Sequence, residues 1–250
     1  MNNLNKMSLK LGLNLTRYYS INFDLPKRNK KKIIYIILHY TGMKKESQAI
    51  ERLCDFKSKV SSHYFIKNDG KILNLIPDLY VAWHAGDSNW KKFKSLNNYS
   101  IGIEISNPGH DHGYKKFSSK QILSIIKLLR FLVRKYKIKK QNILGHSDIA
   151  PNRKKDPGEK FPWDKLAKEN LCKWHNLCEN KIRKNRNLKL KINDEKKFFS
   201  NLYKIGYPIT KNKSEKINLT KAFQRKFRQS LINGKIDQEC LLISKNLLNS

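Results

Sequence analysis

The chain has 250 residues, 53 of them Lys or Arg against 20 Asp or Glu, a formal net charge of +33. With 39% hydrophobic and 10% aromatic residues it can bury a core, which excludes a wholly disordered chain. Its longest apolar stretches fall far short of the roughly 18–20 residues of a spanning helix, which excludes a transmembrane protein.

Residues 1–20 read as an N-terminal tail, polar and basic. Leu11, Leu13 and Leu15 alternate with Gly12 and Asn14, so no continuous apolar run of about 7–15 residues forms a secretory signal. The expected compartment is the cytoplasm, with a periplasmic or outer-membrane-associated placement as the alternative. IIYIILHY (Ile33–Tyr40) is β-branched and continuously apolar, as suits a central strand buried on both faces. Glu46 to Lys57 has helical spacing. Ser62 to Ile76 reads as two strands about Asp69-Gly70, a hairpin turn signal. Asn98 to Ser106 is a strand with Ile101, Ile103 and Ile105 on one face and Gly102 and Glu104 on the other. Ser118 to Tyr136 is the clearest helix, with Ser118 and Gln121 spaced as a capping box and one apolar stripe from Ile122 to Tyr136. A short strand, Asn142 to His146, precedes an ordered loop, Ser147 to Pro162, and a helix from Trp163 to Asn170. Beyond about Leu171 strand signals stop. Residues 21–175 therefore read as one α/β domain, a mixed central sheet flanked by helices, and 176–197 as a charged linker. Residues 198–250 read as a small helical module, with helices over Phe198–Tyr207, Leu219–Leu231 and Gln238–Leu248.

An excess of Lys and Arg can mark a nucleic-acid binder, because these residues release counterions from phosphates. Here the Lys is spread along the chain with much Asn and Ile, the pattern of A+T-biased codons. Aromatics are not interleaved with the basic residues as a stacking platform requires. No nucleic-acid partner is expected. The four cysteines, Cys54, Cys172, Cys178 and Cys240, are too scattered for a disulfide scaffold.

Three strand ends or loops carry chemistry-bearing residues: His39, Glu104, and the Gly145–Trp163 loop with His146, Lys154 and Asp156. Two imidazoles and a carboxylate are the ligand types of a catalytic zinc site. If the strands ending in His39 and His146 are neighbours, both imidazoles emerge at one sheet edge. Each residue alone has a plainer reading: a hydrogen-bonded core histidine, a surface carboxylate, a turn aspartate. No HExxH motif is present.

The segments LHYTG (Leu38–Gly42), VSSHYFI (Val60–Ile66), AWHAG (Ala82–Gly86), NYSIGIEI (Asn98–Ile105) and GHSDIAPNRKKDPGEKFPW (Gly145–Trp163) closely resemble the AmpD/AmiD-like, zinc-dependent N-acetylmuramoyl-L-alanine amidases. This amidase type 2 family is related to the peptidoglycan recognition proteins. Residues Ala222–Cys240 also resemble the helical, peptidoglycan-binding-like module of the AmiD type. The resemblance implies one Zn2+ per chain on His39, His146 and Asp156. It implies a catalytic Glu104, an assisting Lys154, and substrate contacts from His84 and Trp83, with His63 structural. It implies peptidoglycan fragments (muropeptides) as partners, and a monomer. A non-catalytic peptidoglycan-binding protein is the alternative.

Overall fold

The computed structural model describes residues 15–249; residues 1–14 of the expected tail lie outside them. The elements in chain order are β1 (Leu15–Arg17), β2 (Phe23–Asp24), β3 (Tyr35–Tyr40), α1 (Glu46–Cys54), β4 (Tyr64–Ile66), β5 (Ile72–Asn74), β6 (Val81–Ala82), β7 (Asn89–Trp90), β8 (Phe93–Lys94) and β9 (Ser100–Ile105). There follow α2 (Ser119–Tyr136), β10 (Ile143–Gly145), α3 (His146–Ile149), α4 (Trp163–Lys168), α5 (Glu179–Lys184), α6 (Asp194–Ile205), α7 (Lys213–Phe227) and α8 (Gln238–Asn249).

Six strands form a mixed sheet in the order β1-β5-β4-β9-β3-β10. β3 lies between β9 and β10 and is parallel to both. β4 and β5 form the expected antiparallel hairpin. A strand flanked on both sides and covered on both faces needs apolar residues on both faces, and 33–38 supplies them ahead of His39. Ile36 and Leu38 point with Ile101, Ile103 and Ile105 into a layer covered by Ile125, Leu128, Leu129 and Leu132 of α2. The capping box at Ser118 and Gln121 forms as the spacing predicts.

The other sheet face is shared. Phe65 and Leu73 pack with Ala49 and Leu53 of α1. Tyr35, Ile37 and Leu144 pack in one apolar cluster with Phe198, Leu202, Phe223, Phe227 and Ile243 of the C-terminal helices. The helices of 198–250 therefore bury their apolar stripes directly against the sheet. At about 50 residues such a module is marginal alone.

The structure departs from the sequence expectations in five places, one being that the helix expected over Leu219–Leu231 runs from Lys213 to Phe227. Residues 15–20 are not free tail: β1 pairs parallel with β5, and Ser20 is buried with its hydroxyl donating to the Leu53 carbonyl. Edge pairing uses backbone groups and needs no apolar pattern, so composition does not reveal it. The charged stretch 176–197 carries α5, buries Ile182, and is tied down by a bidentate Arg186–Glu239 pair at 2.7 Å. α1 stops at Cys54, where Asp55 caps a 3-10 turn over Phe56–Ser58. The loop after β10 opens with the four-residue helix α3.

Replacing Ser118 by Ala removes one side of the capping box and is expected to cost about 1 kcal/mol in urea denaturation, with metal binding unchanged. An unaltered denaturation midpoint would show that α2 is held by its apolar face alone.

Candidate active site

His39 is the last residue but one of β3, and β10, in register with it through Gly145 opposite Leu38, is followed at once by His146. Both imidazoles therefore leave the sheet at its carboxyl end. Asp156 is brought back to them by its own carbonyl, which accepts the Ser147 N–H at 2.9 Å. The return is close: a Cβ at Gly145 would meet Pro157 Cδ at 2.7 Å.

The three side chains are buried and their ligand atoms converge. His39 Nδ1 lies 2.9 Å from His146 Nδ1, and each lies 3.1 Å from Asp156 Oδ2. The opposite ring nitrogens decide which atoms of the two imidazoles face the carboxylate. His146 Nε2–H donates to the Ala85 carbonyl at 3.1 Å. His39 Nε2–H donates to His84 Nδ1 at 3.1 Å, and His84 Nε2–H to Ser100 Oγ at 3.2 Å. The Ser100 hydroxyl is committed to the Leu96 carbonyl at 2.6 Å. With the ring protons so placed, two imidazole lone pairs and a carboxylate face one another, an arrangement that a cation relieves. Ligands about 2.0 Å from a tetrahedral ion stand about 3.3 Å apart, close to these separations. Two N donors and one O donor are the ligand types found in catalytic rather than structural zinc sites.

Burial sets the proton affinity of His39. Burial, and next the neighbouring His146, lower His39 to about 4.

Glu104 stands opposite His39 in the β3–β9 register and so on the same face. Its Oε2 is buried without a hydrogen-bond partner. Burial pushes its carboxyl well above the usual range, the Asp156 charge adds to this, and Lys154 opposes it. Lys154 and Trp83 line the same cleft, of about 510 Å³, with Tyr40, Met43, Arg52 and Arg153. Trp83 is fixed at the rim by donating its Nε1–H to Asp24 at 2.8 Å.

His84 borders the cleft, yet both ring nitrogens are taken by His39 and Ser100, which makes it an orienting residue for His39. His63 is structural, as expected: its Nδ1 accepts the Gly102 N–H and its Nε2–H reaches the Tyr80 carbonyl, both at 3.0 Å.

Sequence reasoning missed three supporting groups. The Ala85 carbonyl takes both His146 and Arg153, a backbone role with no side-chain signal. Asn97 Oδ1 accepts the N–H groups of His84 and Ala85 at 3.1 and 2.7 Å. Gly102 has no room for a Cβ, which would stand 2.4–2.7 Å from the His84 ring. Its signal was available, since a glycine inside a strand marks a close approach.

Gly102→Ala is therefore expected to displace His84, free the His39 ring and weaken zinc binding by about 10–100-fold in a calorimetric titration. Wild-type affinity would show that His84 does not orient His39. The metal-free protein is also expected to lose stability on mild acidification. Burial, and next the Arg28 charge, lower His63 to about 3, and His39 stands at about 4. Both folded-state values lie below 6.5, so the unfolded chain takes up protons that the folded chain refuses. Stability then falls as pH drops from about 6.5 towards 4, read as a falling melting temperature. A flat profile over that window would contradict the burial of neutral rings.

Comparison with known proteins agrees with this geometry. Residues 29–159 match the family model described as N-acetylmuramoyl-L-alanine amidase. The chain is 33% identical over 231 residues to the N-acetylmuramoyl-L-alanine amidase AmiD of Escherichia coli, covering 87% of this chain and 83% of that one. Its structure superposes on the E. coli AmiD complex with anhydro-N-acetylmuramic acid-L-Ala-D-gamma-Glu-L-Lys, with a TM-score of 0.78, 31% identity, and 87% and 89% of the two chains covered. AmpDh3 of Pseudomonas aeruginosa, in complex with anhydromuramic pentapeptide, matches with a TM-score of 0.77, 27% identity and 90% and 95% coverage. The mixed sheet, the buried His-His-Asp triangle with its neighbouring glutamate, and these matches agree: the chain belongs to the N-acetylmuramoyl-L-alanine amidase family.

Proposed function

We propose that this amidase is a zinc hydrolase. Its reaction would cut the amide between N-acetylmuramic acid, or its 1,6-anhydro form, and L-Ala of peptidoglycan stem peptides. The observation that carries the reading is the convergence of His39 Nδ1, His146 Nδ1 and Asp156 Oδ2 beside the unpartnered, buried Glu104 Oε2. The substrates named for the two superposed relatives support the substrate class. A non-catalytic binding protein has no use for a complete donor set or for a buried carboxylate without a partner.

An amide is a poor electrophile with a poor leaving group. Zinc, when bound, supplies the Lewis acidity that activates water near neutral pH and polarises a carbonyl. Glu104 takes the proton of the attacking water and delivers it to the departing L-Ala nitrogen. Its setting suits both halves: Lys154 favours the ionised base, and burial favours the protonated acid. Lys154, in the cleft wall, stabilises the negative charge that develops on the carbonyl oxygen. Trp83 offers an apolar face at the rim, and His84 keeps His39 aimed.

Glu104→Gln is expected to retain one equivalent of zinc and lose about 10²–10⁴ in turnover. Lys154→Ala is expected to lose about 10²–10³ with zinc retained. Mass spectrometry of released stem peptide, with anhydro-muropeptide and intact sacculi assayed side by side, reads both variants. Wild-type-like turnover of Glu104→Gln would overturn the assignment.

A further inference from the structure

His146 opens the short helix α3, and two residues on lies Asp148, 1% exposed. A carboxylate this dry needs donors for both oxygens, and it has three. One is local: the Gly145 N–H reaches Oδ2 at 2.8 Å and closes the turn that carries His146. The other two come from the C-terminal helices. Lys226 of α7, 4% exposed, donates its Nζ–H to Oδ2 at 2.8 Å. Tyr207, just past the end of α6 and 3% exposed, donates its hydroxyl to Oδ1 at 2.8 Å.

Both donors are themselves fixed. Lys226 also reaches the Ile143 carbonyl at 3.3 Å and lies 4.3 Å from the centre of the Trp163 ring. Tyr207 rests edge-on against Trp90, with ring centroids 4.8 Å apart. The dependence runs in one direction. The turn needs the Asp148 carboxylate to satisfy the Gly145 N–H, and the carboxylate can be buried only if a cation and a second donor meet it.

We propose that the C-terminal helices position the metal ligand His146, with Lys226 and Tyr207 acting through Asp148 on the turn that holds the imidazole. Lys226 and Tyr207 are positioning residues that touch neither the cleft nor the metal. The C-terminal module then serves metal binding in this chain, whatever else it binds. This rests on the zinc reading above.

The test uses the full chain and measures zinc affinity by competition with a chromophoric chelator, alongside near-ultraviolet circular dichroism and the split between kcat and KM. Lys226→Met is expected to weaken zinc binding by about 10–100-fold. Tyr207→Phe, which removes only a hydroxyl, is expected to weaken it by a smaller factor. In both, KM is expected to hold and kcat to recover at saturating zinc. Adding Asp148→Asn to Lys226→Met removes the uncompensated buried charge while keeping an acceptor for Gly145, and is expected to restore part of the affinity. Folded Lys226→Met and Tyr207→Phe proteins with wild-type zinc affinity would overturn the proposal, even with a lowered melting temperature. If Lys226→Met does not fold, Tyr207→Phe alone decides. If the wild-type chain takes up no zinc, the metal reading falls and this proposal with it.

Discussion

The site depends on one constraint, the parallel pairing of β3 with both β9 and β10. Parallel strands end on the same side of a sheet, so residues distant in sequence emerge together. His39 and Glu104 are opposite partners in one ladder, and His146 follows the last residue of the other. A slip of one residue in either pairing would turn these side chains to the wrong face. The slip is prevented by burial on both sides, because Ile36, Leu38, Ile101 and Ile103 must all face α2 together.

Around the triangle the polar groups are almost fully committed. Each imidazole is oriented by a specific acceptor, and those acceptors are held in turn by Asn97, Ser100 and the backbone of the AWHAG segment. The exception is Glu104 Oε2, buried and unpartnered in the cleft wall. A buried carboxylate oxygen without a donor is unfavourable for stability and useful for proton transfer, so the exception falls where the chemistry is needed. The same reasoning covers the junction with the C-terminal helices, where a buried carboxylate carries its full set of donors.

The net charge of +33 takes on a different meaning in the folded chain. Of the basic residues drawn inside, Lys226 is paired with Asp148, Arg228 with Asp237 and Glu239, and the part-buried Lys135 with Asp78, while Arg28 donates to the carbonyls of Asp78 and Asn97. Lys154, in the cleft, bears on Glu104 and His39. A charge count cannot separate these residues from solvated surface Lys, because it carries no information on depth.

Hydrophobic periodicity by itself determined the buried strand at 33–40, the hairpin about Asp69-Gly70, the Ile-rich strand ending at 105 and the capped helix after Ser118. Each of these is a local pattern with a local physical cause. Residue types also supplied the candidate ligands, and the family resemblance marked which belonged together. Only the tertiary structure decided that β10 lies beside β3, which converts three separated residues into one triangle. Only it decided that His84 stands behind His39, a matter of where a ring fits over Gly102. The strand at 15–17 and the sheet face that receives the C-terminal helices were also beyond the sequence. The first rests on backbone hydrogen bonds, which leave no periodic trace; the second leaves apolar stripes on the helices but no sign of which surface they meet.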